Sequence, residues 1–132
     1  MTPDAQRELL QNSKTIAVVG HSDKPGRTSY QIAQFLRRAG YTVYPVNPSL
    51  KEIEGQAVYA TLADVPVKID IVNVFRQSEF LPGVVEEAIA VGAGAVWAQL
   101  GVEHAQAAAQ AEAAGLPLVM DTCIKVAYLD LL

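Results

Sequence analysis

Thr15-Ile-Ala-Val-Val-Gly-His-Ser-Asp-Lys-Pro-Gly-Arg-Thr-Ser29 passes within fifteen residues from an apolar strand to the mouth of a helix. The first five residues are apolar or β-branched without alternation, the pattern of a strand covered on both faces. Gly20 ends the run where the chain must turn. After the polar loop, Ile32, Phe35 and Leu36 recur at helical spacing from Thr28 to Ala39, and Gly40 is a helix stop. A buried strand, a polar loop and an amphipathic helix make the opening half of a βαβ unit.

The alternation continues along the chain. Thr42–Val46, Ile69–Phe75, Ala95–Gln99 and Leu116–Met120 read as four further apolar strands. Helical segments follow at Glu79–Val91, capped by Ser78, at His104–Ala114 and at Ile124–Leu131. A short helix precedes them all at Pro3–Asn12, with Thr2 as its cap. Gly55 to Leu62 reads as a connection, with a helical turn at Thr61–Asp64. The fold class is therefore α/β, a Rossmann-like, doubly wound parallel sheet of five strands, with predicted order 3-2-1-4-5. In such a sheet a ligand lies outside the carboxyl ends of the strands, here residues 20–29, 47–51, 74–77 and 98–101.

Composition narrows the class. The chain has 132 residues, 51% hydrophobic and 18% charged, enough for one domain with its own core, read as 1–132. The net charge of −4 argues against nucleic acid as a partner, and the hydropathy pattern argues against a membrane span. The lone Cys123 and the polar N-terminus point to a reducing, cytoplasmic setting. An anionic ligand must then be held by local donors.

The loop after the first strand supplies them. Ser22, Thr28 and Ser29 carry hydroxyls, Lys24 and Arg27 are cations, and the following helix opens with unpaired N–H groups. It is neither a dinucleotide fingerprint, since His21 and Ser22 follow Gly20, nor a P-loop, since five residues separate Gly20 from Gly26. The second strand ends in Val46-Asn47-Pro48, without the acid that grips a free ribose in NAD-binding domains. By these residues alone the loop is a phosphate binder whose ligand is unnamed.

Five segments in register carry a resemblance: Val18–Ser22, Gly40–Pro48, Asp70–Phe75, Ala95–Gly101 and Ala114–Cys123. From about Thr15 to Lys125 the chain resembles the small stand-alone CoA-binding proteins of bacteria and archaea, the YccU-type family. It is more distantly similar to the N-terminal CoA-binding domain of the succinyl-CoA synthetase α subunit. The resemblance implies coenzyme A, or an acyl-CoA, lying across the strand ends. Gly20, His21 and Ser22 would approach its phosphates, Lys24 and Arg27 neutralise them, and Thr28 and Ser29 stand close by. Asn47, Pro48 and Lys51 would border the adenosine and its 3′-phosphate; Val74, Phe75 and Arg76 would flank adenine and ribose; Gln99 would face the pantetheine. Two positions depart from the family: His21 stands where a small residue is common, and Thr122 where a basic one is.

No residue here makes a convincing catalytic set. His21 lacks a carboxylate at a suggestive spacing, Cys123 lacks a neighbouring His, and Trp97 reads as core filling. Arg37 and Arg38 suit the C-terminal end of their helix. The expectation is a CoA-binding module without chemistry of its own. Two alternatives stay open: a small enzyme acting on a CoA thioester, and an NAD(P)-binding regulatory domain.

Overall fold

A computed structural model describes residues 1–132. Seven strands form: β1 (Thr15–Val19), β2 (Thr42–Val46), β3 (Glu52–Ile53), β4 (Gln56–Ala57), β5 (Ile71–Val74), β6 (Val96–Ala98) and β7 (Leu118–Val119). Five helices accompany them: α1 (Pro3–Asn12), α2 (Thr28–Arg38), α3 (Leu81–Ala90), α4 (Ala105–Ala114) and α5 (Ile124–Leu131). β1, β2, β5, β6 and β7 make one parallel sheet; β3 and β4 pair as a separate antiparallel hairpin.

The parallel, five-stranded Rossmann-like sheet flanked by helices is the expected class, but its order is not 3-2-1-4-5. The order is β2-β1-β5-β6-β7, so the third long strand crosses over to pair with β1 on the side away from β2. Two residues explain this. Pro45 has no N–H, and its carbonyl points away from β1, accepting from Tyr59 N–H at 3.0 Å. A strand residue turns its N and its C=O to the same side, so the absent donor lies on that outer side and suits an edge. The Ile71–Val74 strand, by contrast, is buried at all four positions and bonds on both sides. The reversal of direction therefore falls between β1 and β5, and the ligand crevice with it.

Gly20 fits that junction closely. Its φ is +86°, and a Cβ there would lie 2.7 Å from the carbonyl oxygen of Phe75, at the end of β5. Alternating residues of β1 feed two cores. Ala17 and Val19 pack beneath α3 and α4 with Val72, Val74 and Val96. Ile16 and Val18 pack beneath α1, α2 and α5 with Ile71 and Trp97. Trp97 is fully buried and donates its indole N–H to Thr122 O at 2.9 Å, which fits the core role read for it.

Helix ends follow local chemistry. Thr2 Oγ caps α1 at Ala5 N–H, and His104 Nδ1 caps α4 at Gln106 N–H. Ser78 does not cap α3 as expected. A 3₁₀ turn, Ser78–Phe80, precedes that helix, and the Ser78 hydroxyl instead bridges Gly101 O and Glu103 N–H. The hairpin β3–β4 is not read from the sequence: Gln56–Ala57 falls in the Gly55–Leu62 connection and Glu52–Ile53 just before it. No helix is long and apolar enough to cross a membrane.

Candidate functional site

Three adjoining clefts lie along the carboxyl ends of the strands. The first, about 670 Å³, is bounded by the loop after β1 on one side and by Asn47 to Leu50 after β2 on the other. Gly20, Ser22, Lys24, Arg27, Thr28 and Ser29 line it, with Asn47 and Phe75 opposite. Cations and hydroxyls therefore converge where the sequence places them. No side chain caps the start of α2. Its first N–H groups open beside Thr28 and Ser29, and the positive end of the helix dipole faces an anion there.

The loop holds its shape through its own polar groups. Ser29 Oγ accepts from Ser22 N–H at 3.0 Å, and Ser22 Oγ accepts from Lys24 N–H at 3.0 Å. Asn47 joins the two walls: Nδ2 donates to His21 O at 3.1 Å while Oδ1 accepts from Ser49 N–H at 2.9 Å. The second bond is the side-chain-mimicked turn that asparagine favours. Lys24 and Arg27 are left exposed, free to swing toward a ligand.

The second cleft, about 550 Å³, opens between the end of β2 and the start of α3. Pro48, Thr61, Leu62 and Phe75 line it, and Arg76 lies 4.1 Å above the ring of Phe80. This pair is a flat, charged platform of the kind that stacks on a base. The third cleft, about 520 Å³, runs from Thr28 and Phe75 past Arg76 to Gln99, Leu100 and Cys123. Gln99 is only 5% exposed. Its Oε1 accepts from Asn73 Nδ2 at 3.1 Å and from Ile124 N–H at 2.9 Å, so it caps α5 while its amide nitrogen is unclaimed by protein. Cys123 is half-buried at the start of α5.

Three of the expected site residues lie outside these clefts. Val74 is fully buried under α3, because its strand position turns it into the core. Lys51 is exposed where the chain turns away into the hairpin, its carbonyl accepting from Val58 N–H at 3.0 Å. His21 is fully buried, its ring turned toward α2 and Arg37. Arg37, read as a plain helix-end cation, thus stands behind the loop. Ser49, Phe80 and Leu100 line the clefts without having been singled out. For Phe80 the signal was its place four residues after Arg76, on the turn entering α3. No group of three or more His, Cys, Asp or Glu is placed to hold a metal ion.

A family model described as a CoA binding domain matches residues 14–128. The uncharacterized protein YneT of Bacillus subtilis is 46% identical over 122 residues, 92% of this chain and 90% of its own. The alpha subunit of an ADP-forming acetate–CoA ligase from Pyrococcus furiosus is 37% identical over 86 residues, 61% of this chain but 19% of that subunit. This chain thus spans about a fifth of that ligase subunit. Among solved structures, a hypothetical protein from Pyrococcus horikoshii superposes with a TM-score of 0.95 at 37% identity, covering 99% of this chain and 92% of that one. A Thermus thermophilus protein superposes with a TM-score of 0.94 at 35% identity over the whole of both chains.

Proposed function

The chain belongs to the CoA-binding domain family, and from that we propose that it binds coenzyme A or an acyl-CoA across the carboxyl ends of β1, β2, β5 and β6. One observation carries the reading: the three clefts share Phe75 and change in character along one trough. The centre has two cations, four hydroxyls and an open helix end, suited to a diphosphate. On the β2 side, the Arg76–Phe80 platform suits an adenosine. Toward α5, a cleft with the amides of Gln77 and Gln99 and the apolar Leu100 and Val102 suits a pantetheine arm. The ligand's charged middle and two dissimilar ends have the same order.

The role is binding without chemistry of its own. Of the carboxylates at the trough, Asp23 lines the first cleft and Glu87 the second, each without a histidine beside it in that cleft. Acyl transfer on this fold would then fall to another domain or protein that takes up the exposed thiol end.

Isothermal titration with CoA, dephospho-CoA, NAD and NADP tests the reading. CoA is expected to bind more tightly than NAD, because the second strand ends without a ribose-gripping acid. Tight NAD binding with no heat from CoA refutes it. Turnover of acetyl-CoA by the isolated chain refutes the purely binding role.

A further inference from the structure

We infer that His21 is the positioning residue of the anion loop: carrying its proton on Nδ1, it holds the Ser22 carbonyl away from the cleft and so sets the face the loop presents to a ligand. The inference rests on the proposed CoA site for what is bound, but its geometry does not depend on that reading.

The tautomer follows from the partners. Arg37 Nη2 lies 3.3 Å from His21 Nε2. A guanidinium only donates, so Nε2 must be the acceptor. The proton of the neutral ring then sits on Nδ1, which lies 2.8 Å from Ser22 O and donates to it. Burial holds the His21 pKa below its ordinary value; the Ser22 bond and Glu54 act upward, while Arg37 adds to the lowering. The ring is therefore neutral when the loop is formed, as this double role requires.

Arg37 is itself anchored. Its Nη1 donates to Gln34 Oε1 at 2.8 Å and its Nη2 to Gln56 Oε1 at 2.9 Å. Gln56 belongs to β4 and returns its own amide to Val43 O at 2.8 Å. The Tyr30 ring packs against His21 in a T-shaped arrangement, and the Tyr30 hydroxyl donates to Glu54 in the hairpin turn. These contacts form a closed circuit. The loop hangs on His21, His21 on Arg37, and Arg37 on the hairpin. The hairpin continues directly from Asn47 to Leu50, the opposite wall of the same cleft, and Asn47 returns to the His21 carbonyl. The two walls are thus braced against each other from behind. A small residue at position 21 supplies neither ring bond.

The test uses the intact chain. Ring ¹⁵N shifts at pH 7.5 are expected to report the Nδ1–H tautomer of His21; an Nε2–H or doubly protonated ring overturns the inference. Affinities for CoA and for inorganic pyrophosphate are then measured for His21→Ala, His21→Asn and His21→Gln, with melting temperatures alongside. An asparagine amide can take the place of Nδ1, whereas a glutamine amide reaches the Nε2 side. His21→Ala and His21→Gln should lose about tenfold in affinity, the scale of one lost hydrogen bond, and His21→Asn should stay within about threefold of wild type. His21→Asn should nonetheless melt low like His21→Ala, since both lack the ring. Affinity that simply tracks melting temperature across the three overturns the positioning role. If wild type binds pyrophosphate but not CoA, the CoA reading falls, and the order of the variants on pyrophosphate still decides the role of His21. If it binds neither, both fall.

Discussion

Gly20→Ala and Gly26→Ala change the same loop by one methyl group each, yet the structure expects them to differ sharply. At position 20 the backbone has φ +86°, and the new Cβ would lie 2.7 Å from Phe75 O and 3.2 Å from Phe75 C. That contact is with backbone at the end of a central strand, so no side chain can swing aside. Left-handed backbone costs a residue with Cβ roughly 1–2 kcal/mol. Overpacking at a rigid site adds about 1–3 kcal/mol. Together they amount to about 3 kcal/mol, which lowers the melting temperature of a chain of 132 residues by about 10 °C. At position 26 a Cβ meets nothing within 4 Å, and Gly26 is not among the glycines of positive φ. Its variant should melt within about 2 °C of wild type, as surface changes away from special geometry do. Urea denaturation of both, with the slope monitored to verify a common unfolded state, gives the comparison. Equal stability of the two would mean that β1 and β5 do not approach as described, and the placing of the crevice between them would fall with it.

The cations give a second comparison: Lys24→Ala and Arg27→Ala should each weaken CoA by about tenfold, whereas Lys51→Ala should change it by less than about twofold. Titration calorimetry at fixed salt decides it, and a large Lys51 effect would show that the hairpin moves onto the trough. Phe80→Ala should weaken CoA and ADP while leaving pyrophosphate unchanged, because only the first two carry a base to stack; uniform loss would move the adenosine elsewhere. Asp70 gives a prediction in pH. Burial acts upward on its pKa, but the N–H groups of Lys14 and Thr15, with the Thr15 hydroxyl and Lys68, act downward, and the net result lies below the ordinary value. A carboxyl lowered in the folded state adds stability that is present above its unfolded pKa and lost as pH falls through its folded one. Asp70→Ala should therefore melt lower at pH 7 and lose less on acidification below about pH 4 than wild type does. Parallel melting curves against pH for the two proteins would contradict this.

The layers and most of the trough were legible because they rest on repeated patterns. Apolar runs without alternation identify strands buried on both faces, and helical spacing places the covering helices. The loop residues followed from chemistry that only that position could use. The strand order required weighing one residue, Pro45, against the general expectation for nucleotide folds, and its missing N–H is decisive only once the side it faces is considered. The hairpin escaped because strands of two residues carry no periodicity. His21 escaped for a different reason. Which way a loop side chain turns depends on partners sixteen and more residues away, Arg37 and Gln56, and no local pattern announces them. Lys51 is the converse case: a charge near the site in sequence, carried off by a turn whose geometry is set by its pairing with Val58.

The outer margin of the sheet has a consequence for behaviour at high concentration. On the β2 side, Pro45 offers no donor, and Tyr59 occupies the outward-facing groups of both Pro45 and Asn47. On the other side, β7 is two residues long. An incoming strand from another molecule thus finds no sustained ladder at either margin, the usual means by which sheet proteins avoid joining edge to edge.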